Sequence, residues 1–236
     1  MGPRSLAASA VIGAAAVWSA PAAAPIVPAV ARALLIPTRL ARGRGIALTF
    51  DDGPHAQGTP AVLDALDRAG ATATFFLVGE QVERRKALAA EIVAAGHEVG
   101  VHGYRHRLHL LRTPHAFADD IERAAAVIDE AIGRDAVSYR PPYGVFSLAS
   151  LELTRARGLR PMLWSRWGRD WEARRTPEAI AWLAASGLTA GDVVLLHDAD
   201  HYSSDGSWRR TAAALPAIVE LVEALGEPFV SVTQST

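Results

Sequence analysis

Two aspartates stand side by side where an apolar run ends, in "ALTFDDGPH" at 47–55. Neighbouring carboxylates repel, and one of such a pair is normally held protonated. Either a solvated turn relieves the repulsion, for which Asp-Asp-Gly-Pro is good chemistry, or a bound cation stabilises both anions. Further on, "HGYRH" at 102–106 sets imidazoles at i and i+4. On one helical turn or in a tight loop both rings reach one ion; a solvated loop is the plainer alternative. The spacing resembles HExxH, but Gly103 stands where the Glu base of a zinc metalloprotease belongs, which removes that class. One of the aspartates with His102 and His106 gives three protein ligands and an open position for water, as in a catalytic rather than a structural zinc site. The other aspartate is then free to accept a proton.

Two further stretches could complete such a centre. "RPPYG" at 140–144 begins with Arg140, and its two prolines fix an extended backbone. It is either a stiff surface loop or a rigid arm that aims Arg140 at a carboxylate and lays Tyr143 beside a substrate. "LLHD" at 195–198 puts His197 after apolar residues. That histidine is a satisfied core residue or, on the same rim as a metal and a base, a general acid.

These residues need a frame that brings them together. Apolar or β-branched runs at 46–50, 71–79, 97–102, 137–140, 161–164, 192–197 and 228–232 alternate with amphipathic segments near 59–69, 81–95, 114–133, 148–157, 177–186 and 209–225. Thr113-Pro114 and Thr176-Pro177 suit helix starts, and Gly70, Gly96, Gly158 and Gly226 suit helix stops. The alternation predicts an α/β fold with a parallel sheet of about seven strands. No linker divides 45–236, so this region is expected to form one catalytic domain behind an apolar segment, 1–44. Asp51, Asp52, His102, Arg140 and His197 all close strand-like runs, and Asp170 follows one shortly. In a β/α barrel such positions share the C-terminal rim, where active sites lie.

Composition narrows the function further. The chain has 236 residues, half of them hydrophobic, and a formal net charge of -1. It is therefore not disordered, and nothing in its charge favours a nucleic-acid partner. With no Cys, disulfides, thiolate nucleophiles and Cys-based zinc sites are excluded. No Asp or Glu occurs before Asp51, and residues 5–24 are apolar and Ala-rich. This stretch reads as a signal peptide ending at Ala22-Ala23-Ala24, a membrane anchor, or a packed lead-in helix. Export or membrane association at the cell envelope is favoured over a cytoplasmic location.

Motif for motif, the chain resembles the NodB-homology polysaccharide deacetylases, carbohydrate esterase family four, over about 45–232. "TFDDG" at 49–53, "HGYRH", "RPPYG" and "LLHD" carry the resemblance. It implies a distorted β/α barrel of about seven strands and a metal-dependent hydrolase that removes N- or O-acetyl groups from a glycan such as peptidoglycan or a chitin-like oligosaccharide. It implies Asp52, His102 and His106 as metal ligands, Asp51 as base, His197 as acid and Arg140 as the residue that positions the base. One divalent ion is expected, zinc foremost, with cobalt, manganese or nickel also suited to such donors. Tyr143, Pro142, Trp167 and Trp171 are candidate sugar contacts, and Tyr104, Trp164, Tyr202 and Trp208 also lie near strand ends or on the rim loop. Two positions depart from the pattern. Gly103 replaces a Ser or Thr, and in "WGRDW" Trp167 replaces the first Asp of D-x-x-D-W, leaving Asp170 and Trp171. The second change bears on the partners of Arg140 and His197 and on substrate choice. The same fold could therefore serve a small non-polymeric amide; a catalytically weak glycan-binding protein is the third reading.

Overall fold

The computed structural model describes residues 13–41 and 43–234. Seven strands run parallel: β1 (Ala47–Asp51), β2 (Ala73–Leu77), β3 (Glu98–Val101), β4 (Ser138–Tyr139), β5 (Arg160–Pro161), β6 (Arg166–Trp167) and β7 (Val193–His197). Their order is β5-β4-β3-β2-β1-β7-β6. This is the cyclic order of a β/α barrel opened between β5 and β6, and the sheet forms a curled half-barrel. Helices α1 (Pro28–Ala33), α2 (Gly58–Arg68), α3 (Gly79–Arg84), α4 (Lys86–Ala94), α5 (Pro114–Ile132), α6 (Leu148–Ala156), α7 (Pro177–Ala185) and α8 (Ser207–Ala224) surround it, with short 3-10 turns at Ala20–Ala23, His109–Leu111 and Pro142–Gly144.

Every residue of β1 and β2 is buried, as expected of parallel strands covered on both faces. Phe50 and Phe75 stack at 5.1 Å between ring centroids. The helix signals act as read. The Thr113 and Thr176 hydroxyls accept the N–H groups of Ala116 and Ala179. Gly70, Gly96, Gly158 and Gly226 have left-handed backbones after their helices.

Three details differ from the sequence pattern. The segment 81–95 is two helices, broken at Arg85 (φ -146°, ψ 49°). The run 228–232 forms no strand; it makes only a bridge from Phe229 to Ile46. Pro228 has no N–H to give, and Val232 donates to the Thr74 side chain instead. Conversely, β6 is two half-buried residues between Ser165 and Gly168, too short to show a period.

The N-terminal segment packs onto the barrel. Residues 5–12 of the apolar stretch lie outside the described residues, and 13–19 are helical. Ala24, Ala31, Ile36 and Leu40 join the main core. Residues 37–40 bridge the open seam: Pro37 accepts the Leu163 N–H beyond β5, and Leu40 donates to Gly191 before β7. No helix among the described residues is long and apolar enough to cross a membrane.

Strand register sets up the chemistry. Asp51 on β1 pairs with His197 on β7. Val101 pairs with Tyr139, so His102 and Arg140 leave neighbouring strands together.

Candidate active site

A cleft of about 290 Å³ opens at the C-terminal ends of the strands. Asp51, Asp52, His102, His106, Tyr143, Trp167, Trp171 and His197 line it, together with Trp164, Tyr202 and Ser203. The turn that presents both aspartates begins at Asp52 itself, whose φ is 80°. This left-handed backbone is tolerated by Asp better than by most residues. It swings Asp52 away from the alternation of the strand, so both carboxylates reach the rim. Behind the turn, the buried Asp198 carboxyl group accepts a hydrogen bond from the Thr59 hydroxyl and fills the space where a side chain on Gly53 would stand. Burial pushes the Asp198 carboxyl up to about 7.

Around Asp52 the donor set is that of a cation site. His102 Nδ1 lies 2.8 Å from the Arg140 carbonyl oxygen. A carbonyl only accepts, so Nδ1 carries the proton and Nε2 keeps its lone pair. That Nε2 faces Asp52 Oδ1 at 3.5 Å, and His106 Nε2 faces it at 3.3 Å. Asp52 Oδ1 is buried with no hydrogen-bond partner. An acceptor oxygen opposed to a lone pair in a buried place is unfavourable unless a cation sits between them. Burial would raise the Asp52 carboxyl, but the His102, His197 and His106 imidazoles hold it well below the usual carboxylate range. Burial holds His106 down at about 4, so its ring is neutral and able to ligate at neutral pH. Tyr202 stacks on His106 at 4.3 Å between centroids and fixes its plane.

Arg140 is fully buried and spends its donors on positioning. Nη1 donates to Asp51 Oδ1 at 2.8 Å and to Thr49 Oγ1 at 2.7 Å. Nε and Nη2 donate to the main-chain oxygens of Met162 and Leu163. One Asp51 oxygen is therefore fixed and the other points into the cleft. Four of the five Arg140 N–H groups are thus met without a second carboxylate, so Trp167 in place of the first Asp of the fourth motif leaves the Arg140–Asp51 pair intact. Trp167 instead adds an aromatic wall, 5.9 Å from Trp164 and 6.2 Å from Trp171 between ring centroids.

His197 is wired to Asp170. Nδ1 lies 2.9 Å from Asp170 Oδ1, and the His197 backbone N–H donates to Oδ2 at 2.7 Å. Thr211 donates to the same Oδ2. Burial alone would lower the His197 pKa, but Asp170 by charge and hydrogen bond, with Asp52 and Asp51, raises it to about 10. Nε2 faces the cleft, 4.0 Å from Asp52 Oδ2.

Some expected residues lie elsewhere. Pro142 is buried behind Tyr143 and does not line the cleft. Tyr104 is buried and donates to Glu83 at 2.7 Å, and Trp208 packs against Gly58 and His55. Arg166 turns to Gly187 and Asp192, and Arg169 to Glu172, so neither enters the cleft. Sequence reasoning missed Thr49, and it missed Asp120 on α5, which accepts the Tyr104 N–H at 2.8 Å and steadies the loop between the two histidines. That loop turns at Gly103 with φ 80°, so glycine there answers a backbone need that Ser or Thr would meet with strain. Asp120 carried a signal: it sits on the apolar stripe of α5 with Phe117, Ile121 and Ala124. His109, given no role by its sequence, ties the same loop to Ser150 and Tyr139.

A half-barrel with an Asp-His-His trio, a carboxylate held by Arg and an imidazole held by Asp on one rim defines a hydrolase centre of the NodB type. The polysaccharide deacetylase family model matches residues 39–162, and the chain belongs to that family; its relatives named as deacetylases act on carbon–nitrogen bonds other than peptide bonds. It is similar to a peptidoglycan-N-acetylglucosamine deacetylase of Bacillus cereus, 33% identical over 80% of this chain and 86% of that protein. It is also similar to a chitooligosaccharide deacetylase of Azorhizobium caulinodans, 34% identical over 77% of this chain and 89% of that one. Among solved structures, the Bc1960 peptidoglycan N-acetylglucosamine deacetylase superposes with a TM-score of 0.79 at 26% identity, covering 85% of this chain and 92% of that one.

Proposed function

We propose that this chain is a metal-dependent deacetylase that removes N-acetyl groups from an amino-sugar glycan at the cell envelope. The observation that carries the reading is the buried, unpartnered Asp52 Oδ1 facing two imidazole nitrogens, with Asp51 and His197 on either side.

Asp52, His102 and His106 would hold one divalent ion, most suitably zinc. When bound, the ion acts as a Lewis acid on the acetyl carbonyl and lowers the pKa of water. Asp51, fixed by Arg140 through one oxygen, takes the proton of the attacking water with the other. A main-chain N–H near Tyr143 would steady the developing oxyanion. His197, kept protonated by Asp170, delivers a proton to the leaving amine. The sugar ring rests on Trp167, Trp171 and Tyr143, which present apolar faces with polar edges.

The test is acetate release from N-acetylglucosamine oligomers by chelated, metal-restored and Asp52→Ala protein. Release that follows the metal in the native chain and is lost in the variant supports the reading. A chelated protein as active as the restored one would overturn it. Activity confined to small acetamides would keep the chemistry and change the substrate.

A further inference from the structure

A second groove of about 500 Å³ runs outward from the catalytic cleft and shares His106 and Tyr143 with it. Its other lining residues are Arg107, Leu108, Leu111 and Arg112. It is thus continuous with the place where the acetylated sugar would sit, and it has room for the neighbouring sugar of a chain.

The charge of this groove is one-sided. Residues 102–113 contain three arginines and no acidic residue. Arg112 is already committed, to Asp120 at 3.3 Å and to the Ala116 carbonyl oxygen at 2.5 Å. Arg107 is exposed and makes no ion pair among the described residues. Beside it lie the largely exposed Leu111 and Tyr143. Across the cleft, the loop after β7 presents the uncharged Tyr202 and Ser203. A ligand crossing from one wall to the other therefore meets a positive side and an uncharged side.

We propose that Arg107 makes this groove a subsite for a sugar bearing a carboxylate, so that the enzyme selects an acidic acetylated glycan over a neutral one. This rests on the deacetylase reading given above. A guanidinium fork matches a carboxylate in two parallel hydrogen bonds. The flanking Leu111 and Tyr143 cover the apolar face of the sugar or of a short alkyl arm that carries the acid. With the cation at one end of the groove only, binding in the reversed direction leaves the acid without its partner, so the carboxylate also orients the chain.

The experiment uses a matched pair of oligomers, one alternating N-acetylglucosamine with a lactyl-ether acid sugar, the other the same oligomer with each acid converted to its methyl amide. Native protein, Arg107→Ala, Arg107→Lys and Arg107→Glu are assayed for kcat/KM on both. The native chain should prefer the acidic oligomer by roughly three- to tenfold, the range of a partly exposed charge-assisted pair. The preference should shrink in high salt, vanish in Arg107→Ala, survive in part in Arg107→Lys and reverse in Arg107→Glu. A structural effect of the substitution would lower both rates and leave their ratio in place. The same pair is titrated calorimetrically against Asp51→Asn and against that variant combined with Arg107→Ala. A charge preference is then read from Kd even where no acetate is released, which separates failure of this proposal from failure of the deacetylase reading. Equal kcat/KM for the two oligomers with native protein, equal Kd values, or an unchanged ratio in Arg107→Ala would overturn it.

Discussion

Two groups of one aspartate and two histidines occur among the described residues: Asp52 with His102 and His106, and His55 with Asp200 and His201. They share a composition and differ in wiring. In the first, the Arg140 carbonyl accepts a hydrogen bond from His102 Nδ1–H, which leaves Nε2 with its lone pair toward Asp52. In the second, His55 Nδ1 accepts the N–H groups of Gly58 and Gln57. Its proton must then lie on Nε2, which faces Asp200 Oδ1 at 3.3 Å. The other Asp200 oxygen accepts the Gly206 N–H. Asp52 keeps an unsatisfied oxygen for a cation; Asp200 has none. The hydrogen bonds behind His102 and His55, rather than the residue types, separate a ligand set from a helix cap.

The difference can be broken experimentally, the largest effect first. Asp52→Ala should abolish tight metal binding and lower turnover by on the order of a thousandfold, since a bound metal supplies several kcal/mol. Elemental analysis of the native chain should give one equivalent of metal, and two would erase the distinction between the groups. Asp51→Asn should keep that equivalent and still lose about a hundredfold to ten-thousandfold in kcat. A variant that lost its metal as well would show that the paired aspartates do not divide the work.

Asp170→Asn tests the wiring of the acid and should cost about ten- to a hundredfold. Its sign is fixed by charge. Asp170 raises the His197 pKa, so removing that charge lets the proton leave at lower pH, and the alkaline limb of the rate profile should move toward neutrality. A limb that stays in place would mean that another group sets it. The smallest effect belongs to His55→Ala. It should leave the metal content at one and lower stability by about 1 kcal/mol, the cost of losing a cap at the start of α2. Chemical denaturation beside metal analysis reads both.

The sequence was most informative where one residue type had to meet one geometric need. The paired aspartates, the i,i+4 histidines and the residues closing β3, β4 and β7 were all visible as polar groups ending apolar runs. The strand and helix alternation was visible for the same reason, because buried parallel strands leave unbroken apolar stretches. β6 was not visible, since two residues cannot show a period. The partners Thr49 and Asp120 were obscured because their importance lies in contacts between distant segments, 91 and 16 residues from Arg140 and Tyr104 respectively. The Trp167 substitution looked like a missing partner; only the main-chain oxygens of Met162 and Leu163 reveal that Arg140 is held in place without a second carboxylate.

The N-terminal segment across the open seam has a practical corollary. A fragment cut at residue 45, where the motif pattern begins, would lose Ile36 and Leu40 from the core and strip the open seam of the segment bonded to Leu163 and Gly191. Bare strand edges recruit other chains. Such a fragment would hold every residue of the candidate centre and still tend to precipitate, so the unit that carries the chemistry is smaller than the unit that stays in solution.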